Sequence, residues 1–145
     1  MTGDRVTVLL THPLPFGARS RLPAGWTIRI LPDSGPLDPV ALRRELPGCQ
    51  GLLCQLVDGI DRERIDAGPD LRIIANIGAG FNNIDWRHAR DRGIVVTNTP
   101  GALTEATADL TLALILAAAR RVVEGDRFLR AGRFTGWDLD LLLGL

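Results

Sequence analysis

Leu71-Arg72-Ile73-Ile74-Ala75-Asn76-Ile77 is an apolar run that leads straight into Gly78-Ala79-Gly80-Phe81-Asn82-Asn83-Ile84-Asp85. A short charged stretch, 86–92, follows, and then Gly93-Ile94-Val95-Val96-Thr97-Asn98. The order reads strand, small-residue turn, helix, strand. Short runs rich in Ile and Val, bounded by Gly, are buried strands. Asp85 is placed to cap the helix between them and Gly93 to stop it. Near-continuous apolar strands alternating with helices argue for a parallel sheet covered on both faces.

Outward from this stretch the same rhythm repeats. Val6-Thr7-Val8-Leu9-Leu10, Trp26-Thr27-Ile28-Arg29-Ile30-Leu31 and Gly51-Leu52-Leu53-Cys54-Gln55-Leu56 read as strands. The second of these alternates in polarity, which places it nearer an edge. Residues 13–25 hold three Pro and two Gly and form a loop with room for one helical turn. Asp38 caps a helix with Pro39 at its first position, running to Leu46. Residues 61–67 form another short helix, ended by Gly68-Pro69. Downstream, Thr104 is expected as the N-cap of a long helix with Glu105 in its first turn. That helix runs to about Arg121, with an extension to Ala131 left open. Right-handed crossovers then give an open doubly wound α/β sheet of five strands, flavodoxin-like or Rossmann-like.

Composition narrows the chemistry. The chain has 145 residues and a formal net charge of zero, and a single domain of this size buries a real core. All 17 basic residues are Arg, and there is neither Lys nor Tyr. Walker A loops, Schiff-base enzymes, Lys bases and Tyr acid–base chemistry are therefore excluded. Balanced charge argues against a nucleic-acid partner. Cys49 and Cys54 have neither a zinc spacing nor a disulfide framework and are expected as buried reduced thiols. No signal peptide or bilayer-spanning run is expected, since the longest apolar stretch, Leu110 to Ala119, is too short. A soluble cytoplasmic protein follows as the expectation. The helix Ala108 to Ala119 is apolar nearly all round, and the chain stops on Leu141-Leu142-Leu143-Gly144-Leu145. Both features point to a piece of a longer protein.

The turn Gly78-Ala79-Gly80 lies past a strand end, where open α/β sheets bind ligands. Its small residues let successive N–H groups face one anion, a carboxylate or phosphate. A tight strand-to-helix turn without a ligand explains the same residues. It is not a dinucleotide fingerprint, because position 83 is Asn and the next strand ends in Thr97-Asn98 rather than an acid. His12, at the end of the first strand, and His88, in a charged helix, read as surface or packing residues. Asp58, Asp61, Glu63 and Asp66, interleaved with Arg62 and Arg64, read as helical salt pairs. No metal-ligand spacing is present.

Three ordered motifs carry a resemblance: residues 71–85, then Arg92 to Pro100, then Leu103-Thr104-Glu105-Ala106-Thr107-Ala108-Asp109-Leu110. Together they resemble the D-isomer-specific 2-hydroxyacid dehydrogenases, most of all the glyoxylate/hydroxypyruvate reductase branch. Glu124-Gly125-Asp126-Arg127-Phe128 and Gly132-Arg133-Phe134-Thr135-Gly136-Trp137 fit the same branch. The likeness is weak over residues 11–50 and strong from about residue 50 onward.

What the resemblance implies is specific. The fold is a flavodoxin-like substrate domain, residues 1–103, followed by a linking helix and arm, residues 104–145. A Rossmann cofactor domain would follow the point where this chain stops. The turn matching Gly78, Ala79 and Gly80 offers N–H groups to the substrate carboxylate, and the position matching Leu56 lines the same pocket. The helix start matching Thr104 faces the nicotinamide side of the cleft. The Gly-rich phosphate loop, the substrate-binding Arg and the Glu–His acid–base pair would lie in the missing half. No catalytic residue is therefore assigned here, and the isolated chain is expected to be silent. NAD or NADP serves the full-length family, with no tight binding expected by this chain alone. A homodimer through the 104–121 helix and the following arm is also implied. Two other readings compete: a non-enzymatic module holding a small carboxylate at Ala79 and Gly80, and a dimerisation partner for a full-length subunit.

Overall fold

A computed structural model describes residues 6–15, 17–32 and 35–137 of the chain. The apolar end 141–145 and the last part of the expected arm lie outside the described residues. The chain divides after Pro100 into two compact units.

The first unit is built on five strands: β1 (Thr7–Leu10), β2 (Thr27–Ile30), β3 (Gly51–Gln55), β4 (Ile73–Ile77) and β5 (Val95–Thr97). All neighbours pair in parallel, in the order β2-β1-β3-β4-β5, which is the flavodoxin-like order. Register aligns Leu9 with Leu52, Leu52 with Ile74 and Ile74 with Val96. Three short helices connect the later strands: α1 (Pro39–Glu45), α2 (Arg62–Asp66) and α3 (Trp86–Asp91). Each starts on an Asp whose carboxylate accepts a backbone N–H: Asp38 from Val40, Asp61 from Arg64 and Asp85 from His88. Such a cap contributes about 1 kcal/mol. Gly93, at φ 75°, lets the chain leave α3 in a left-handed conformation, which disfavours any residue with a Cβ.

The core gathers Leu9, Leu52, Cys54 and Ile74 of the sheet with Ala41, Leu42, Leu46, Ile65 and Ala89 of the helices. On the opposite face of the sheet the cover supplied by this unit is thinner. Ile73, Ile77 and Val95 are exposed there, and a cavity of about 350 Å³ opens among residues including Val8, Leu22, Trp26, Leu53, Ile73 and Ala75. The cause is direction of travel. The crossovers from β2 to β5 all advance the same way, so right-handedness puts α1, α2 and α3 on one face. Only the β1–β2 connection advances the other way, and among its described residues the helical element is the 3-10 turn Ala18–Arg21.

The second unit contains α4 (Thr104–Ala119) and α5 (Val122–Arg130). Thr104 is not the cap expected from sequence. The turn before it closes with the Thr104 N–H on Gly101 O, so Thr104 is already the first helical residue and Leu103 takes the cap position without a side-chain bond. The helix also does not run through to Ala131. It breaks at Arg121, whose φ of 53° is left-handed, and the Arg121 guanidinium bonds Glu124 one turn on. Leu110, Leu112, Leu114, Ile115 and Leu116 are all exposed on α4. Among the described residues, no helix is long and apolar enough to cross a membrane.

Candidate functional site

At the C-terminal end of β4 the chain turns through Gly78-Ala79-Gly80-Phe81, and every carbonyl of that turn is occupied. Gly78 O accepts from Thr99 N at 2.9 Å, and Phe81 O from Ile84 N at 3.1 Å. Ala79 O accepts from Asn98 Nδ2 at 2.7 Å, and Gly80 O from Asn76 Nδ2 at 2.8 Å. The N–H groups of Ala79, Gly80 and Phe81 meet no acceptor among the described residues. A backbone that has satisfied its acceptors and kept its donors is suited to an anion.

Leu56 stands against this turn. It lies just past the end of β3 and is exposed, and a Cβ placed on Gly78 would come within 3.0 Å of its Cβ. The two strand ends therefore approach so closely that a larger residue at 78 would have to push Leu56 aside. Asn83 ties them together, donating to Gln55 O at 3.1 Å and to Asp58 O at 2.9 Å. The structure thus sets Leu56 beside Gly78, with Ala79 and Gly80 next in the same turn, and the gap between the two strand ends is the slot. Phe81 and Asn98 also line a cavity of about 250 Å³ with Trp86, Val96 and Thr97. Thr104 belongs to the second unit, at the first position of α4.

Sequence reasoning missed the three asparagines that support the turn. A signal existed for one of them. Asn76 falls two residues after Ile74 on the buried face of β4, and is 2% exposed where an aliphatic residue would be expected. A buried amide persists only when bonded.

It also misread Asp58, which is no helical salt-pair residue. It precedes α2 and is fully buried, accepting from Thr11 Oγ1 at 2.6 Å, Gln55 N at 2.8 Å and His12 Nε2 at 2.9 Å. His12 is therefore an oriented side chain rather than a loose surface one. The other acids do form surface pairs, Asp61 with Arg64 and Glu63 with Arg43. Asp66 pairs with His88 at 2.7 Å, and the bond from His88 holds its carboxyl below the usual range. Both cysteines are free and buried, as expected. Burial, reinforced by the nearby Asp58 charge, pushes the Cys54 thiol up to about 12.

The residues present do not fit a dinucleotide. The turn is followed by Asn at position 83 rather than a third Gly, and β5 ends in Thr97-Asn98 rather than an acid. The helix N-terminus that follows is already taken by the Asp85 carboxylate.

The family model for the D-isomer specific 2-hydroxyacid dehydrogenase catalytic domain matches residues 8–134. A glyoxylate reductase of Korarchaeum cryptofilum is 41% identical over 138 residues, which are 94% of this chain and 42% of that protein. The chain thus spans less than half the length of that relative. A protein of Thermus thermophilus has a crystal structure that superposes with a TM-score of 0.84 at 44% identity, covering 97% of this chain and 45% of that one. An NADPH-dependent glyoxylate/hydroxypyruvate reductase of Sinorhizobium meliloti, crystallised with citrate, superposes with a TM-score of 0.76 at 29% identity. It covers 95% of this chain and 44% of its own length is matched.

Proposed function

The chain belongs to the D-isomer specific 2-hydroxyacid dehydrogenase family, and we propose that it is the substrate-binding domain of an NAD(P)-dependent member acting on small 2-oxo acids. The substrates are of the glyoxylate or hydroxypyruvate type, interconverted with D-2-hydroxy acids. In this reading residues 1–103 form the substrate domain, and residues 104–145 form the linking helix and arm. One observation carries the reading. All four carbonyls of the Gly78–Phe81 turn are bonded within the chain, while the N–H groups of Ala79 and Gly80 are left to donate. A substrate carboxylate takes those donors, with Leu56 as the apolar wall beside them. Thr104 faces the nicotinamide side of the cleft in the whole enzyme. The citrate in the crystals of the Sinorhizobium meliloti reductase supports a carboxylate ligand.

The chain's own residues bind and orient the acid, and they go no further. Reduction of a carbonyl needs hydride from a nicotinamide and a proton donor within hydrogen-bond reach. The slot residues Leu56, Gly78, Ala79 and Gly80 supply no titratable group. The isolated chain therefore binds without turning over. An amide-resolved NMR titration with oxalate tests this, since oxalate presents a carboxylate and cannot be reduced by the nicotinamide. Shifts centred on Ala79 and Gly80 are expected, with no oxidation of NADH when glyoxylate replaces oxalate. Unmoved Ala79 and Gly80 amides at saturating oxalate, or turnover matching a full-length relative, would overturn the reading.

A second proposal concerns partners. The exposed leucines of α4 form an apolar surface of the kind that marks association, and the chain pairs through it as a homodimer. Sedimentation should show a concentration-dependent dimer that Leu112→Asp abolishes. A monomer at all concentrations would refute it.

A further inference from the structure

Asn76, which is buried, and Asn83, which is half-buried, form a carboxamide pair at the turn. Asn76 Nδ2 donates to Asn83 Oδ1 at 3.1 Å, and Asn83 Nδ2 donates back to Asn76 Oδ1 at 3.3 Å. Each amide then has donor capacity for one of the two chain segments that make the slot. Asn76 takes Gly80 O, and Asn83 takes Gln55 O and Asp58 O. The Cys54 thiol completes the cluster from β3, 3.5 Å from Asn76 Oδ1. Turning either amide over would set oxygen against a carbonyl oxygen, so the network permits one orientation.

We propose that Asn76 and Asn83 are positioning residues for the anion slot: they fix the spacing between the Leu56 turn and the Gly80 turn, and hold the Gly80 carbonyl down so that the N–H groups of Ala79 and Gly80 stay presented to a carboxylate. The proposal rests on the carboxylate-binding reading above. Its physical basis is preorganisation. Donors set before the ligand arrives need no reorganisation when it binds. A shell of supporting bonds is what keeps such donors in place. A Leu at position 76 would suit the buried face shared with Ile74 but would leave Gly80 O and the Asn83 carboxamide without their partner, so the amide serves the turn rather than the apolar core. The amide is placed where its bonds end on the slot rather than on the helices.

The test uses the whole chain with oxalate as probe. Asn76→Leu removes both donors while keeping the branched side-chain shape, though it adds volume at a buried position. Ile74→Val, on the same face of β4, serves as a control that lowers stability without touching the slot. Asn76→Leu should weaken oxalate by about tenfold, the lower end of what loss of a supporting bond around a site costs. Without ligand, its backbone amides at 78–82 should become more mobile by heteronuclear NOE. Ile74→Val should lower the melting temperature and leave oxalate affinity and the turn unchanged. Asn76→Asp adds a pH readout. Its carboxylate cannot donate to Gly80 O, whereas the protonated form donates one bond, so affinity relative to the wild-type chain should recover as pH falls.

Wild-type affinity and a rigid turn in Asn76→Leu would overturn the positioning role while leaving the functional reading intact. If the wild-type chain ignores oxalate, the functional reading falls instead. The ligand-free mobility of residues 78–82 then still decides whether the pair orders the turn. Should Asn76→Leu fail to fold, Asn76→Asp compared with the wild-type chain at each pH, so that protonation of oxalate itself cancels, decides the question: a ratio of the two oxalate affinities that does not change with pH refutes the proposal.

Discussion

The close approach at Gly78 makes a quantitative prediction for Gly78→Ala. The added Cβ would lie 3.0 Å from Leu56 Cβ, 3.3 Å from Asn76 Nδ2 and 3.5 Å from Gly80 O. Carbon atoms rest at about 3.5–4.0 Å, so Leu56 must retreat by about 0.5 Å or more. It cannot do so by rotating, because its Cβ moves only with the backbone. That backbone is held on one side by β3 and on the other by the buried Asp58. Overpacking of this kind costs about 1–3 kcal/mol, and the stiffer unfolded chain returns about 0.4–1 kcal/mol. The net loss is about 1–2 kcal/mol, or roughly 4–8 °C in melting temperature for a chain of this size. Oxalate binding should weaken in parallel, because the displaced atoms include the Gly80 carbonyl support. Gly80→Ala is the matched control. Its Cβ would meet only Asn82 Oδ1, at 3.3 Å, and that exposed side chain can swing aside. Thermal unfolding by circular dichroism reads both variants. Equal melting temperatures for Gly78→Ala and the parent, or a larger loss in Gly80→Ala, would refute the argument.

Asp58→Ala should be the more damaging change, because it strips Thr11 Oγ1, Gln55 N and His12 Nε2 of one shared acceptor. A loss of about 3 kcal/mol or more is expected in urea unfolding. Cys54, with its thiol pushed up to about 12, should resist alkylation at pH 8 until the chain unfolds. Its raised value also has a linkage consequence. Unfolded thiols ionise first as pH climbs past about 8.5, so the unfolded state gains and stability falls from there upward. Asp66 behaves in the opposite sense, its carboxyl being lowered chiefly by the bond from His88. Its contribution is present above the ordinary carboxylate range and is lost as pH falls through the lowered value. His88→Ala should therefore flatten the acid limb of the stability profile.

The elements and their ends were legible in the sequence because the signals for them are local. Asp38, Asp61 and Asp85 bond N–H groups two or three residues away, and Gly93 answers a backbone need at its own position. Strand identity and the parallel sheet followed from apolar runs alternating with helices, and the flavodoxin-like strand order was implied by the family resemblance. The Gly78–Gly80 turn between β4 and α3 was legible for the same reason. Only the tertiary structure decided what surrounds that turn. Asn83 reaches back to Gln55 and Asp58, and His12 reaches Asp58 across 46 positions. No spacing rule anticipates bonds of that range, because they depend on which strand ends lie side by side. The open sheet face, the exposed start of α4 at Leu103 and the break at Arg121 also had to be seen in place. Each depends on how far a crossover travels or how a turn closes, and residue type alone specifies neither. Side-chain chemistry near in sequence thus determined the framework, and strand adjacency in space determined the slot that framework presents.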